Sequence, residues 1–284
     1  MPQVTDDVIK QIRQMRAMGV PYRRIMNKLG VSAHTIKRYA PSGKGRRTLV
    51  CNDIHCPFHD IKAVDMLIDF IRREKPDRII LAGDIIDFYA ISRFNKDPKR
   101  RGGLRKEIYA TRELLYCIRK AAPQAEIDYT KGNHEDRLRR YLWSDASELE
   151  GLDGLTVQDQ LCVDKFDINY HEDGVEEGKL FVYHGSVVHK HAGYSARAEF
   201  EKNGRSGMSG HTHRDGKYTQ RTRGGHFVWF ENFCLCDLDA EYIDGVANWS
   251  QGWSVITSIN GRQYVEQIPV INHRYIYKGK EWRA

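Results

Sequence analysis

The sequence has no apolar run approaching the roughly 20 residues that a helix needs to cross a bilayer, so a membrane-spanning chain is not expected. Residues 1–7 lack the basic region and apolar core of a secretory leader, which points to an intracellular protein. Cysteine is sparse, six in 284 residues. In an intracellular setting those six are expected as thiols rather than as a disulfide framework. Cys234-Leu235-Cys236 has the wrong spacing for a zinc ribbon or a redox Cys-x-x-Cys and reads as part of a strand. No repeat period emerges, which sets aside solenoids and arrays, and no heptad seam marks a coiled coil.

What is present fits a folded protein: 29% charged and 40% hydrophobic residues in a chain long enough for one large domain plus a small one. The net charge is +7, which is compatible with a nucleic-acid partner without establishing one. Basic residues cluster near the N-terminus, over 44–47, and again over 96–106.

Residues 6–40 differ from the rest. Val8, Ile9, Ile12 and Met15 follow helical spacing, and Gly19-Val20-Pro21 breaks that helix. Tyr22, Ile25, Met26 and Leu29 form a second short stripe. Gly30 supplies a turn, and Ser32 an N-cap for a third helix carrying Thr35, Ile36 and Tyr39. The stretch from Gly19 to Tyr39 resembles the helix-turn-helix of resolvase-like DNA-binding heads. The resemblance implies that Ser32, His34, Thr35, Lys37 and Arg38 face DNA from the third helix. The alternative is a small helical subdomain with a solvated basic face. Residues 1–41 are taken as this head, 42–47 as a Pro-, Ser- and Gly-containing basic linker, and 48–284 as the large domain.

In the large domain Thr48 to Cys51 reads as a first strand. Ala63, Val64, Leu67, Ile68 and Ile71 form a helix closed by Lys75-Pro76. Arg78 to Leu81 is a strand, residues 88–103 are irregular, Glu107 to Ala122 is a long amphipathic helix and Glu126 to Tyr129 a strand. Helical spacing resumes at Leu138, Tyr141 and Leu142. The alternation predicts βαβ units and a largely parallel sheet. Beyond it, Phe166–Tyr170, Leu180–Tyr183, His226–Glu231, Trp253–Ser258 and Gln263–Ile268 read as strands, with one helix near Ser195–Lys202. The sum is an α/β fold of two packed sheets with helices outside.

Five polar clusters punctuate these elements. Asp53 and His55 sit two apart, a spacing that lets both reach one ion. Asp84 and Asp87 follow the second strand, and Asp84 has two oxygens with which to bridge two ions. Asn133 offers a neutral oxygen, and His184, His211 and His213 offer imidazole nitrogens. A mixed nitrogen and oxygen set suits Mn²⁺, Fe or Zn²⁺ better than Mg²⁺. With no cysteine among them, a closed structural zinc site is not expected.

In order, Asp53-Ile54-His55, Gly83-Asp84-Ile85-Ile86-Asp87, Gly132-Asn133-His134-Glu135, His184-Gly185 and Gly210-His211-Thr212-His213 resemble the motif set of the calcineurin-like metallophosphoesterase superfamily. The resemblance implies a two-sheet αββα sandwich. One metal would take Asp53, His55 and His213, the other Asn133, His184 and His211, and Asp84 would bridge them, with a bridging hydroxide as nucleophile. It also implies His134 as general acid for the leaving oxygen, held and kept protonated by Asp87.

The same resemblance bears on the substrate. Ser/Thr protein phosphatases of the superfamily read Gly-Asp-x-Val-Asp-Arg-Gly. Here Asp87 is followed by Phe88-Tyr89, so the phosphate-gripping arginine is missing at that position. Arg93, Lys96, Lys99, Arg100, Arg101, Arg105 and Lys106 follow, with Tyr89, Phe94 and Tyr109 interleaved, a combination suited to phosphates and bases unless the segment is only a solvated loop. With the head, this favours a metal-dependent nuclease cleaving phosphodiester bonds in DNA, similar to DNA repair exonucleases or phage-type phosphoesterases. The alternatives are a phosphomonoesterase acting on nucleotides, nucleic-acid ends or other small phosphoesters, and a DNA-binding regulator with the large domain as scaffold.

Overall fold

In a computed structural model of the chain, residues 4–17, 20, 22–40, 45–97, 102–239 and 246–284 are described. Three short helices come first: α1 (Asp6–Ala17), α2 (Tyr22–Leu29) and α3 (Ala33–Tyr39). They close on a small core of Ile12, Met15, Ile25 and Ile36. Ser32 caps α3, its Oγ accepting from the Thr35 amide at 3.1 Å, which satisfies a backbone donor the first helical turn leaves without an intrahelical partner. Met26, read above as part of the apolar stripe, lies on the outside. Arg16 reaches away from this core to Asn260 in the large domain, Nη2 to Oδ1 at 3.0 Å.

The large domain is an αββα sandwich. Its first sheet has the order β11-β10-β1-β2-β3-β4, with β1 (Arg46–Cys51), β2 (Arg78–Leu81), β3 (Glu126–Thr130) and β4 (Ile168–His171) mutually parallel. The antiparallel pair β10 (Gln251–Ile259) and β11 (Arg262–Val270) extends it past β1. The second sheet has the order β5-β6-β7-β9-β8. Its centre, β6 (Leu180–Tyr183), β7 (Gly207–Ser209) and β9 (Gly225–Glu231), is parallel, and β5 (Gly174–Glu177) and β8 (Lys217–Thr222) flank it antiparallel.

The period of two along the strands builds the layers. Leu49, Cys51, Ile79 and Leu81 face outward and pack against α4 (Ile61–Glu74) and α5 (Gly103–Ala121). The intervening Val50, Ile80 and Ala82 face inward and meet Val182, Met208 and Phe230 of the second sheet. On the far side of that sheet lies α8 (Tyr194–Asn203); α6 (Asp136–Asp145) and α7 (Val157–Leu161) follow β3, and a C-terminal hairpin, β12 (Arg274–Tyr277) and β13 (Lys280–Arg283), closes the chain.

Several boundaries differ from the sequence reading. The strand read from Thr48 starts at Arg46, because Arg46 and Arg47 already pair with Ser258 and Thr257 of β10; the last two residues of the linker assigned above are therefore sheet. Helix α5 starts at Gly103, so Arg105 and Lys106 lie on a helix. The strand read over Phe166–Tyr170 begins at Ile168, after a 3-10 turn. Strands β5, β7, β8, β12 and β13 have no counterpart in the sequence reading, being short or mostly polar on one face. Cys234 and Cys236 form only isolated bridges with Gln251 and His59 rather than a strand.

Candidate metal centre

Every candidate ligand follows the carboxyl end of a strand, and the strands concerned are parallel within each sheet. Asp53 and His55 follow β1, Asp84 follows β2 and Asn133 follows β3; His184 follows β6, and His211 and His213 follow β7. That edge is where an α/β sheet presents polar groups. The chain must turn sharply there to aim side chains back over the edge, and it does so through left-handed residues. Asp53, His55, Asp84, His211 and His213 have φ of 50, 54, 51, 69 and 58°. Such conformations are uncommon for residues with a Cβ and concentrate at functional sites.

The seven groups converge. Asp53 Oδ1 lies 3.1 Å from His213 Nε2 and 3.6 Å from His55 Nε2. Asp84 Oδ2 lies 3.2 Å from His184 Nε2 and 3.9 Å from His55 Nε2. His184 Nε2 is also 2.9 Å from Asn133 Oδ1 and 3.1 Å from His211 Nδ1. Asp53, His55 and His213 thus form one donor group and Asp84, His184 and His211 another, with Asn133 beside the second and Asp84 Oδ2 within 4 Å of an imidazole of each.

The donor set fits divalent ions on the wiring of each member. Asp53 spends Oδ2 on the His211 amide, at 2.8 Å, and on Asn52; its Oδ1 is buried and forms no hydrogen bond. Asp84 likewise spends Oδ1 on the His134 amide, at 2.8 Å, leaving Oδ2 among the imidazoles. His184 holds Ala82 O with Nδ1 at 3.2 Å, His55 holds Asp87 Oδ2 with Nδ1 at 3.2 Å, and His213 holds Cys236 Sγ with Nδ1 at 3.6 Å. In each the outer nitrogen is anchored and Nε2 faces the centre, the arrangement that orients metal-binding histidines. A buried carboxylate oxygen that accepts no hydrogen bond is costly unless a cation, here an imidazolium or a metal ion, completes it.

Electrostatics mark the same pairs. Burial acts to lower the His184 pKa, but Asp84 and Asp53 raise it to about 9. Burial is likewise overcome at His213 by Cys236 and Asp53, again to about 9. Burial raises Asp53, yet His213 and His184 hold its carboxyl well below the usual range. His211 moves the other way, lowered by burial and by His184.

Glu135 ties these loops together. Fully buried, its Oε2 accepts from the amides of Asp84 at 2.9 Å and Gly132 at 2.7 Å. Its Oε1 accepts from the Ile85 amide at 2.9 Å and the Tyr129 hydroxyl at 2.6 Å. The β2 and β3 loops are therefore held on one carboxylate, a role that quoting the motif alone does not disclose. The motif glycines have a steric reason. A Cβ on Gly132 would lie 2.2 Å from Asp84 Oδ1, and one on Gly210 would lie 2.2 Å from Asp53 Oδ2, so any larger residue displaces a candidate ligand.

His134 and Asp87 adjoin the centre, with one change from the sequence reading. His134 Nε2 is 3.6 Å from Asp84 Oδ2, but its Nδ1 bonds the Asp87 carbonyl at 2.9 Å and stands 3.5 Å from the carboxylate. The Asp87 carboxylate is nearer to His55 and also takes Arg137 Nη1 at 3.2 Å; despite burial, His134 and His55 hold it far below the ordinary range. Arg137 was not singled out in the sequence. Its Nη2 lies 2.9 Å from His134 Nε2, which places a guanidinium beside the centre. The signal was its position three residues after His134 at the start of a helix, a spacing that brings side chains together.

The candidate DNA contacts divide. His34 and Arg38 are exposed on α3, while Ser32 and Thr35 are engaged in the cap; the Lys37 side chain lies outside the described residues. Arg93 is exposed near the centre. Lys96 is committed to its own loop, donating to Tyr89 O, Ser92 O and Ser92 Oγ at 2.6 Å each, and so does not present the free ammonium read from the sequence. Arg105 lies over the Tyr109 ring at 5.6 Å. Lys99, Arg100 and Arg101 lie outside the described residues.

Comparison with known proteins gives consistent findings. The family profile described as calcineurin-like phosphoesterase matches residues 46–215. Two proteins called Gene 54 protein are similar over 84% of this chain and 99% of their own: that of Mycobacterium phage D29 at 27% identity and that of Mycobacterium phage L5 at 28%. Among solved structures, Vps29 from Entamoeba histolytica in complex with zinc covers 84% of this chain and 98% of its own at 11% identity and a TM-score of 0.43. YfcE, a phosphoesterase from E. coli, covers 81% and 90% at 14% identity and a TM-score of 0.34.

Proposed function

The chain belongs to the calcineurin-like phosphoesterase family, and from that premise we propose that it is a nuclease, a metal-dependent hydrolase of phosphodiester bonds in DNA. The observation that carries the proposal is the pairing of a seven-group donor centre with Arg93 and Arg137 beside it, in a chain whose first three helices expose His34 and Arg38. The family is metal-dependent, and Asp53, His55 and His213 would hold one ion and Asn133, His184 and His211 the other, with Asp84 shared between them. Mn²⁺ suits this set, with Fe or Zn²⁺ as alternatives. When bound, such ions activate water and neutralise charge on the phosphate oxygens.

The remaining work falls to the chain. His134, fixed by the Asp87 carbonyl through Nδ1, turns Nε2 toward the centre, where it accepts from Arg137; once a substrate phosphate takes the guanidinium, Nε2 can be protonated and give that proton to the departing oxygen. Arg137 stands beside that nitrogen and can take a non-bridging phosphate oxygen as charge builds there. Asp87 orients His55, His134 and Arg137 together. The three-helix head, acting as a helix-turn-helix, brings duplex DNA to the large domain. The similarity to phage proteins supports a phage-encoded enzyme.

The test is direct. The purified protein with Mn²⁺ is given labelled single-stranded DNA, duplex DNA and DNA phosphorylated at its 3′ or 5′ ends. An aryl phosphodiester and its monoester are tested in parallel. Diester cleavage supports the proposal; release of inorganic phosphate alone refutes it in favour of a phosphomonoesterase. H34A/R38A should cleave the aryl diester normally yet bind duplex DNA less tightly, and unchanged affinity removes the role given to the head.

A further inference from the structure

Beside the centre a groove of about 270 Å³ runs between the 91–94 turn and α6, and Asn133 forms its inner end. We propose that this groove is a nucleotide subsite, taking the base and phosphate next to the bond that is cleaved. The proposal rests on the DNA reading above and adds where, and through which groups, a single strand is held.

Three features carry it. The first is aromatic. Phe94 is 72% exposed and Tyr141 41%, and both line the groove. A phenylalanine that open to water on a loop is an unusual use of a large apolar ring, and a stacked base would cover it. The second is charge. The lining carries Arg93, Arg137 and Arg140 against Asp145. Arg140 is held by Asp136, which Arg139 shares, and Arg137 by Asp87, so the charge the groove offers a strand lies chiefly with the exposed Arg93 at its rim. The third is the alternation of the two. The Arg137 guanidinium lies over the Phe94 ring, 5.8 Å from its centroid, so the cation sits against one face of the ring and the other face is left for a base. Single strands are gripped in this way, with bases on rings and phosphates on guanidinium groups, and with little regard to sequence.

The groove also has a direction. Arg137 Nη2 is 2.9 Å from His134 Nε2, so its inner end opens on the side of the centre where the candidate proton donor sits. A phosphate on Arg137 would place its neighbouring base against Phe94 and the next phosphate toward Arg93 at the rim.

The test uses the full chain and two fluorescent tetranucleotides, (dT)4 and an analogue lacking its bases, in binding with EDTA and in turnover with Mn²⁺. Stacking on one ring should make wild type bind (dT)4 about 5- to 150-fold more tightly than the abasic strand. F94A should erase most of that preference, while F94W retains it. R93A should flatten the salt dependence of binding by about 0.7 in the log–log slope, the share of one phosphate. If wild type cleaves both strands and F94A keeps the full preference for bases, the subsite is wrong and the DNA reading stands. If wild type neither binds nor cleaves either strand or duplex DNA while hydrolysing the aryl diester, the DNA reading falls and the subsite with it.

Discussion

Replacing Glu135 by glutamine changes one oxygen for an amide group and leaves the volume intact. The consequence follows from what surrounds it. Oε2 accepts from the Asp84 and Gly132 amides and Oε1 from the Ile85 amide and the Tyr129 hydroxyl, and no water reaches the residue. On the Oε2 side the glutamine NH₂ faces the Asp84 and Gly132 amides, and on the Oε1 side the Ile85 and Ile86 amides, where the Tyr129 hydroxyl can turn to accept. Two bonds to a charged acceptor are lost, at about 1.5–3 kcal/mol each, so E135Q should cost about 3–6 kcal/mol of stability. The cost should be local in origin, because the lost bonds are those that hold the Asp84 loop against the Gly132–Asn133 turn. Urea unfolding of the metal-free protein measures the stability, and inductively coupled plasma spectrometry after dialysis measures retained metal. We expect a midpoint shift together with reduced metal content. A variant within about 0.5 kcal/mol of wild type, which is the scale of an ordinary surface substitution, with normal metal content, would refute the reasoning.

Other perturbations probe the same framework. In metal-free protein His184 and His213 have folded pKa values near 9 against an ordinary 6.5. Their stabilisation is present below pH 6.5 and lost as pH rises toward 9, so the melting temperature of stripped protein should fall over that window. Mn²⁺ displaces those protons and should remove the fall; equal melting temperatures of stripped protein at pH 6.5 and 9 would contradict this. G132A should abolish diester hydrolysis, because its Cβ meets Asp84 Oδ1 and the Asp84 amide, and activity within twofold of wild type would contradict the steric argument. Burial pushes Glu107 up to about 7 from 4.5, so its contribution to stability should be present below about pH 4.5 and decline as pH rises to 7. E107Q should flatten that slope in urea titrations, and an unchanged slope would count against the assignment. S32A removes the α3 cap and should destabilise the head by about 1 kcal/mol, read as earlier loss of amide protection in residues 33–39 by hydrogen exchange.

The sandwich could be read from the sequence because its strands alternate or run apolar and its helices carry clean stripes. Val50 and Ile80 point one way and Leu49 and Ile79 the other, which is period two expressed in three dimensions. The polar strands were harder. In β8, Lys217 to Thr222 has no buried residue, so no apolar signal marks it, and β7 is three residues long. The seven candidate ligands were legible because each lies in a short motif with glycine or a second ligand beside it, and the structure brings all seven to one edge. Arg137 was not, because a lone arginine on a helix looks like any solvated charge until the fold sets it against His134. Lys96 failed in the opposite sense: a lysine in a basic run reads as a free cation, and only the path of the loop shows three oxygens already around it.

One feature of the sandwich has a mechanical side. Asp53, His55, Asp84 and Asn133 belong to the first sheet, and His184, His211 and His213 to the second. Each candidate ion therefore straddles the seam between two slabs that meet elsewhere through hydrocarbon and through Glu177, whose carboxylate takes Thr48 and Arg78 at 2.8 and 3.2 Å and Ser258 at 2.8 Å. Such ions would act as rivets, resisting shear of one slab over the other more than separation within either. Chelation should then leave both slabs intact and held at Glu177 while loosening the seam at the ligand edge, an effect that hydrogen exchange would find along the facing strand ends there and not in the ladders themselves.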